Sequence, residues 1–365
     1  TCALPVWISL QKRFDDMVVG TYGRGIYIMD DISPIRELAK KDLSIDQLLP
    51  TQSAYRFQML QAMKSDGSSL INGRNPSYGA NIDFYLSDEN KKSIFIEIKN
   101  KDLEVVRTLD VKKFTKGVNR IMWDLRYEPT TVPKLRVDPD GVDWVKYNSD
   151  GWRPLRTWDL DVNAGKLGPL AVPGQYSVTL KIDGKEYSNK FEVLKDPNTI
   201  GTLTDINDQF QFLFTLRNTI NETVDLINKI ENIRFDLQNN ERSSRSKKLE
   251  RELYRIESNL FDTKLTGARE DAFRNPNKIY GRLAALGSDL TRFGSDFKPT
   301  DQQVEVYNVL SNRLIEQKKD FDKVMKNEFW YSEKISYYMM TFTTFFRDSE
   351  SKAKKLRGVT RVCNP

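Results

Sequence analysis

The sequence predicts a multidomain chain of β structure followed by α structure: a short strand region, then an immunoglobulin- or fibronectin-like β-sandwich, then a C-terminal antiparallel helical bundle. Three observations predict it. Apolar residues recur with period two between about residues 51 and 198, the pattern of half-buried strands. From about residue 204 the period lengthens to about 3.6, that of amphipathic helices. The opening stretch carries Gly20, Gly23 and Gly25 between two short apolar runs, which marks a hairpin with a glycine-relaxed connection. A length of 365 residues accommodates two or three domains, and 39% hydrophobic with 30% charged residues suits ordinary globular cores.

Residues 1–34 hold the runs Met17 to Val19 and Ile26 to Met29, with Val6 to Leu10 as a third strand. Three strands without an opposing layer cannot bury both faces. They either dock on the later sandwich or have their partner outside this chain, and Met17, Val19, Ile26 and Ile28 are the predicted interface residues. Residues 35–50 read as a linker. In the sandwich, residues 51–198, Ile94, Ile96 and Ile98 form one apolar face, and Ile121, Trp123 and Leu125 oppose Arg120, Asp124 and Arg126. Tyr176, Val178, Leu180 and Ile182 lead into Asp183-Gly184, a two-residue hairpin signal. Residues from about 129 to 170 break this rhythm and read as a long insertion.

The helical region spans residues 204–350. One stripe comprises Ile206, Phe210, Leu213, Ile220, Val224 and Ile227, and a second comprises Phe212, Leu216, Leu226, Ile230, Ile233 and Leu237, so this helix is expected to be buried on more than one side. Leu249, Leu253, Ile256 and Leu260 predict a second helix, and Leu283, Leu286, Leu290 and Phe293 a third. Thr300 with Gln303 is a capping box that starts a fourth. Residues 351–365 form a basic tail. No run of about 20 apolar residues occurs, so no membrane span is predicted; the nearest, Phe329 to Phe346, is interrupted by Glu333 and Lys334.

The composition restricts the chemistry severely. With no histidine, Ser-His and Cys-His nucleophilic sites and imidazole metal ligands are excluded within the chain. The two cysteines, Cys2 and Cys363, stand at opposite ends, and sequence does not decide whether they pair. Paired carboxylates are the remaining catalytic device. Asp15-Asp16 and Asp30-Asp31 read as solvated strand ends, because adjacent strand residues face opposite ways. No catalytic residue is assigned.

In the insertion, Asp138, Asp140 and Asp143 surround a Pro and a Gly in a loose match to oxygen-rich calcium loops, making calcium the one cofactor the sequence suggests. The segment lacks the terminal bidentate Glu, and an acidic turn is the preferred reading. Trp144, Tyr147, Trp152 and Trp158 stand beside these carboxylates as candidate carbohydrate contacts, with packing of a long loop as the preferred account. The net charge of +6 is densest at Arg242 to Lys248, read as a solvated turn between helices; nucleic acid is disfavoured as a partner, since acidic neighbours dilute the run.

The run Val19-Gly20-Thr21-Tyr22-Gly23-Arg24-Gly25-Ile26-Tyr27-Ile28-Met29-Asp30-Asp31-Ile32-Ser33-Pro34-Ile35 resembles the closing blade of the secreted bacterial BNR-repeat proteins, also called glycosyl hydrolase-like or sortilin-like. Asn75 to Ala80, Gly117 to Arg126 and Val172 to Tyr176 add to the resemblance, which spans residue 15 to about 240. The Asp-box repeats that give the family its name are absent, and Ser149-Asp150-Gly151-Trp152 has the wrong spacing to be one. The resemblance implies that residues 1–34 are the last strands of a β-propeller, that the chain is the C-terminal part of a longer exported protein, periplasmic or at the cell surface, and that its partner is that propeller or another protein chain. The expected function is a non-catalytic structural or interaction module. The alternative is part of a carbohydrate-active enzyme whose carboxylates lie mainly in an absent propeller.

Overall fold

A computed structural model describes residues 5–57, 76–155, 168–239, 243–268, 271–292 and 296–329. Cys2, Trp158, Arg242, Cys363, the basic tail and all of the Phe329 to Phe346 stretch beyond its first residue lie outside them. The fold is mixed α and β, with several sheets and a C-terminal helix. The elements in order are β1 (Pro5–Gln11), β2 (Asp16–Thr21), β3 (Ile26–Met29), α1 (Ser33–Leu38), β4 (Gln47–Leu48), β5 (Ala54–Arg56), β6 (Ala80–Leu86), β7 (Ile94–Lys99), β8 (Val105–Asp110), β9 (Gly117–Trp123), β10 (Lys134–Leu135), β11 (Arg153–Pro154), β12 (Gly174–Ile182) and β13 (Lys185–Lys195). The helices α2 (Leu203–Asn239), α3 (Ser244–Leu260), α4 (Asp271–Arg274), α5 (Ile279–Arg292) and α6 (Asp301–Phe329) follow.

The chain divides into two compact units. The first comprises residues 1–131, 162–221 and 283–307, and the second residues 132–161, 222–282 and 308–365. In the first, a five-stranded sheet of order β5-β13-β12-β7-β8 and a three-stranded sheet of order β4-β6-β9 contribute to one core. The alternation seen in the sequence becomes burial: Ile94, Ile96 and Ile98 from β7 and Val178, Leu180 and Ile182 from β12 are all buried. Trp123 of β9 joins the sheets, its ring lying 5.4 Å from Tyr176 of β12 and 5.9 Å from Phe191 of β13. Asp183 and Gly184 take positive φ, 47° and 88°, as a two-residue hairpin turn requires, and the Asp183 carboxylate accepts the Lys92 and Ser93 amides. Residues 35–50 are more than a linker. Pro34 is buried at the start of α1, and β4 pairs with β6.

A buried cation ties these layers to the helical segments of the same unit. Arg56 ends β5 with 1% of its side chain exposed, and it donates to the carbonyls of Leu170 and Ala171, to Gln209 of α2 and to Asp296. Asp296 also accepts from Thr199. Gly201 lies so close that a Cβ there would stand 2.0 Å from the Asp296 carbonyl oxygen, which requires glycine. Burial pushes the Arg56 pKa down, and Asp296 opposes that shift.

The helices follow their predicted stripes. Ile206, Leu213, Leu216, Ile220, Val224, Leu226, Ile227 and Ile230 are buried along α2, so both of its apolar faces are covered. The capping box forms at α6: the Thr300 amide donates to Gln303 Oε1, and the Gln303 amide donates to Thr300 Oγ1. The basic run is a correction. From Ser244 it is helix and not turn, because the Ser243 hydroxyl caps the Ser246 amide and starts α3. In the second unit, β10 and β11 pair within the segment read as an insertion, and Leu135, Val137 and Leu155 are buried there.

Removing one partner of a buried ion pair strands the other charge. Arg56→Ala is therefore expected to lower stability by about 3–5 kcal/mol, Asp296→Ala similarly, and the double variant by less than the sum. Urea unfolding of the three variants checks this.

Candidate functional site

The sheet β1-β2-β3 carries a run of exposed large apolar residues, and its register decides what it presents. Leu10, Met17 and Met29 stand side by side, as do Ile8, Val19 and Tyr27, and these two rows share one face. Trp7, Gly20 and Ile26, with Ser9, Val18 and Ile28, make the other. On the first face Ile8 is 58% and Tyr27 54% exposed; on the second Trp7 is 72%, Ile26 73% and Ile28 62% exposed. The predicted interface residues therefore divide, Met17 and Val19 on one face and Ile26 and Ile28 on the other. Trp7 and Ile8, which the sequence reading placed only in a third strand, add one exposed apolar residue to each face.

Short polar contacts hold this sheet in shape. The Phe14 amide donates to Gln11 Oε1 in the β1–β2 turn. Between β2 and β3, the Thr21 amide and hydroxyl both donate to the Gly25 carbonyl, with Gly23 and Gly25 at positive φ. That glycine cluster shapes a turn, as its spacing indicates.

Asp31 anchors the sheet, and here the reading of a solvated strand end is overturned. Asp31 is buried, at a φ of 51°. Its amide donates to Asp16 Oδ1, and its carboxylate accepts from Ser33, Gln52 Nε2, Asn81 Nδ2 and Arg120. Arg120 of β9 grips the Asp83 carboxylate of β6 at 2.7 and 3.1 Å, and donates to the carbonyls of Asp30 and Asp31. Asp15 accepts the Ile32 amide and pairs with Arg36 at 3.1 Å. Burial pushes the Asp83 pKa up against the opposing charge of Arg120. The strand end is thus an ionic joint, legible in sequence only as the doublet Asp30-Asp31.

The insertion residues are spent on separate contacts. Tyr147 donates to Asp138 at 2.6 Å, and burial together with that carboxylate pushes the phenol up to about 12. Asp140 accepts from Tyr254 and Thr263, each at 2.7 Å, and Asp143 is exposed. The three aspartates are not brought to one point, and no group of three or more metal-ligating side chains gathers among the described residues. Lys134 lies over the Trp152 ring, 5.6 Å from its centre, while Trp144 is 69% exposed.

The carboxylates that do approach one another were missed in sequence. Glu231 of α2 and Glu257 of α3 are both buried, and the charge of Glu231 acts on Glu257. They stand 26 positions apart, on separate helices, and no local spacing marks them. Their burial leaves no path for a substrate. Among the described residues, no helix is long and apolar enough to cross a membrane.

Hydrogen bonds to charged groups are worth about 1.5–3 kcal/mol each. Asp31→Ala removes the acceptor of Ser33, Gln52, Asn81 and one Arg120 bond, and is expected to speed amide exchange through β1–β3 more than about tenfold while β12 and β13 keep their protection. Hydrogen-exchange mass spectrometry reads both. Comparisons with protein-family models, curated proteins and solved structures give no match for this chain.

Proposed function

We propose that this chain is a non-catalytic interaction module whose β1-β2-β3 sheet is the docking element. The observation that carries the proposal is that both faces of that sheet are apolar and exposed. A sheet with one wet face alternates polar and apolar residues, whereas one covered on both faces reads as continuous apolar runs. Val6-Trp7-Ile8 and Ile26-Tyr27-Ile28-Met29 are runs of that second kind. The occupant that fits is other β-sheet packed on each side, at the usual spacing of about 10 Å.

A propeller supplies that surrounding, since each blade is a small sheet lying between two others. The resemblance of Val19 to Ile35 to a closing BNR-repeat blade supports the same partner. In this reading the five-stranded and three-stranded sheets are an immunoglobulin- or fibronectin-like sandwich and α2 to α6 a bundle, which together brace the propeller of an exported protein. Full burial of each large apolar side chain contributes about 1.5–3 kcal/mol, so the open residues of β1 and β3 supply ample driving force for docking. The alternative, a carbohydrate-active protein, keeps one specific observation, the exposed Trp144 ring beside Asp143.

Hydroxyl-radical footprinting of Trp7, Met17, Tyr27 and Met29 tests the proposal. In protein isolated from its native source, both faces are expected to be protected relative to the isolated 365-residue chain; equal reactivity in the two would overturn it. Ile26→Lys with Ile28→Lys is expected to abolish the protection while shifting the stability of the isolated chain by less than about 1 kcal/mol, the range of surface substitutions.

A further inference from the structure

The buried carboxylates of the second unit pose a problem in proton accounting. Glu231 uses one oxygen, Oε2, to accept the Arg136 amide at 2.6 Å and the Val137 amide at 2.8 Å, so its charge is well met by backbone donors. Arg234 donates one nitrogen to Glu257 Oε2, and commits its other two to Glu250 Oε1 at 3.1 and 2.8 Å. Its guanidinium also lies 5.1 Å from the centre of the Tyr254 ring. Glu257 is fully buried, its Oε1 has no donor aimed at it, and the charge of Glu231 acts on it.

A fully buried carboxyl with one oxygen unpartnered, its arginine shared with another glutamate and a second buried carboxyl acting on it is relieved by holding a proton. The charged and titratable groups around the pair come from each element packed against it: Arg234 from α2, Glu250 and Tyr254 from α3, and Arg153 from β11, whose charge acts on Glu231. Asp140 adds its charge behind Tyr254. Carboxylates thus outnumber the two arginines around the pair.

We propose that Glu257 carries a proton at neutral pH and donates it from Oε1 to Glu231, joining α2, α3 and the Arg136-Val137 segment by a carboxylic acid–carboxylate hydrogen bond that opens as pH rises. Burial, reinforced by the Glu231 charge, holds Glu257 well above the usual glutamate value of 4.5, against the pull of Arg234. Burial likewise raises Glu231, against its two backbone donors. The sign follows from linkage: a carboxyl that binds its proton more tightly folded than unfolded gives stabilisation that is whole below 4.5 and is lost as pH climbs through the folded value. The second unit therefore contains an alkaline-sensitive latch.

Infrared spectroscopy of the intact chain tests this directly. The wild type is expected to keep a carboxylic-acid carbonyl band at pH 7 that shifts on 13C labelling of glutamate alone and vanishes at higher pH. Glu257→Gln keeps a donor facing Glu231 and is expected to lose the band. It should also lose one proton's worth of alkaline destabilisation, about tenfold in the folding equilibrium per pH unit over the titrating range. Glu231→Gln lets Glu257 ionise, and is expected to lose the band too. Absence of a glutamate-derived band in the wild type at pH 7, or its survival in both variants, overturns the proposal. The wild-type spectrum decides the matter even if neither variant folds.

Discussion

The first unit is organised around a guanidinium that has almost no water to return to. Arg56 takes its acceptors from the chain before β12, from α2 and from Asp296, so each of those segments is fixed by the need to satisfy one buried cation. The free energy gained by the ion pair itself is modest, since desolvation offsets most of the attraction. What the arrangement supplies is specificity. A helix or loop placed wrongly would leave a charge unpaired in a dry interior, a far larger penalty than a poorly packed methyl group. Gly201, which admits no side chain against Asp296, belongs to the same constraint.

The same principle, applied at a strand end, fixes the apolar sheet that we propose as a docking element. β1, β2 and β3 bury too little of their own surface to fix their position by packing. Their orientation comes from Asp31 and Arg120, which clamp the exit of β3 to β6 and β9. An apolar surface held by ionic contacts at one end can remain ordered and open together. Preorganisation of this kind lowers the ordering cost on association.

Polar burial in the second unit serves a different end. There a guanidinium is shared among more carboxylates than it can neutralise, and the interior makes up the difference with a proton. Buried acids of this sort are common in catalytic sites, where an open cleft lets the proton reach a substrate. Glu231 and Glu257 are closed off from solvent among the described residues, which suits the latch we propose. The carboxylates of the insertion show the converse: Asp138 and Asp140 are each engaged by a neighbouring hydroxyl and do not converge.

Period and turn chemistry are local properties, and they were legible. The alternation at Ile94 to Ile98, the Asp183-Gly184 turn, the two stripes of α2 and the Thr300-Gln303 cap all concern residues within a few positions of one another, where backbone geometry fixes which side chains share a face. The apolar character of the opening strands was legible too, in the unbroken runs Val6 to Ile8 and Ile26 to Met29. Tertiary structure alone decided the rest. Asp31 read as solvated because its partners Gln52, Asn81 and Arg120 are distant in sequence, and the joint exists only once three separate elements meet. The same holds for Arg56 with Asp296, 240 positions apart, and for Glu231 with Glu257. A charge reveals its partner only when the fold removes its water, and no local pattern encodes that event.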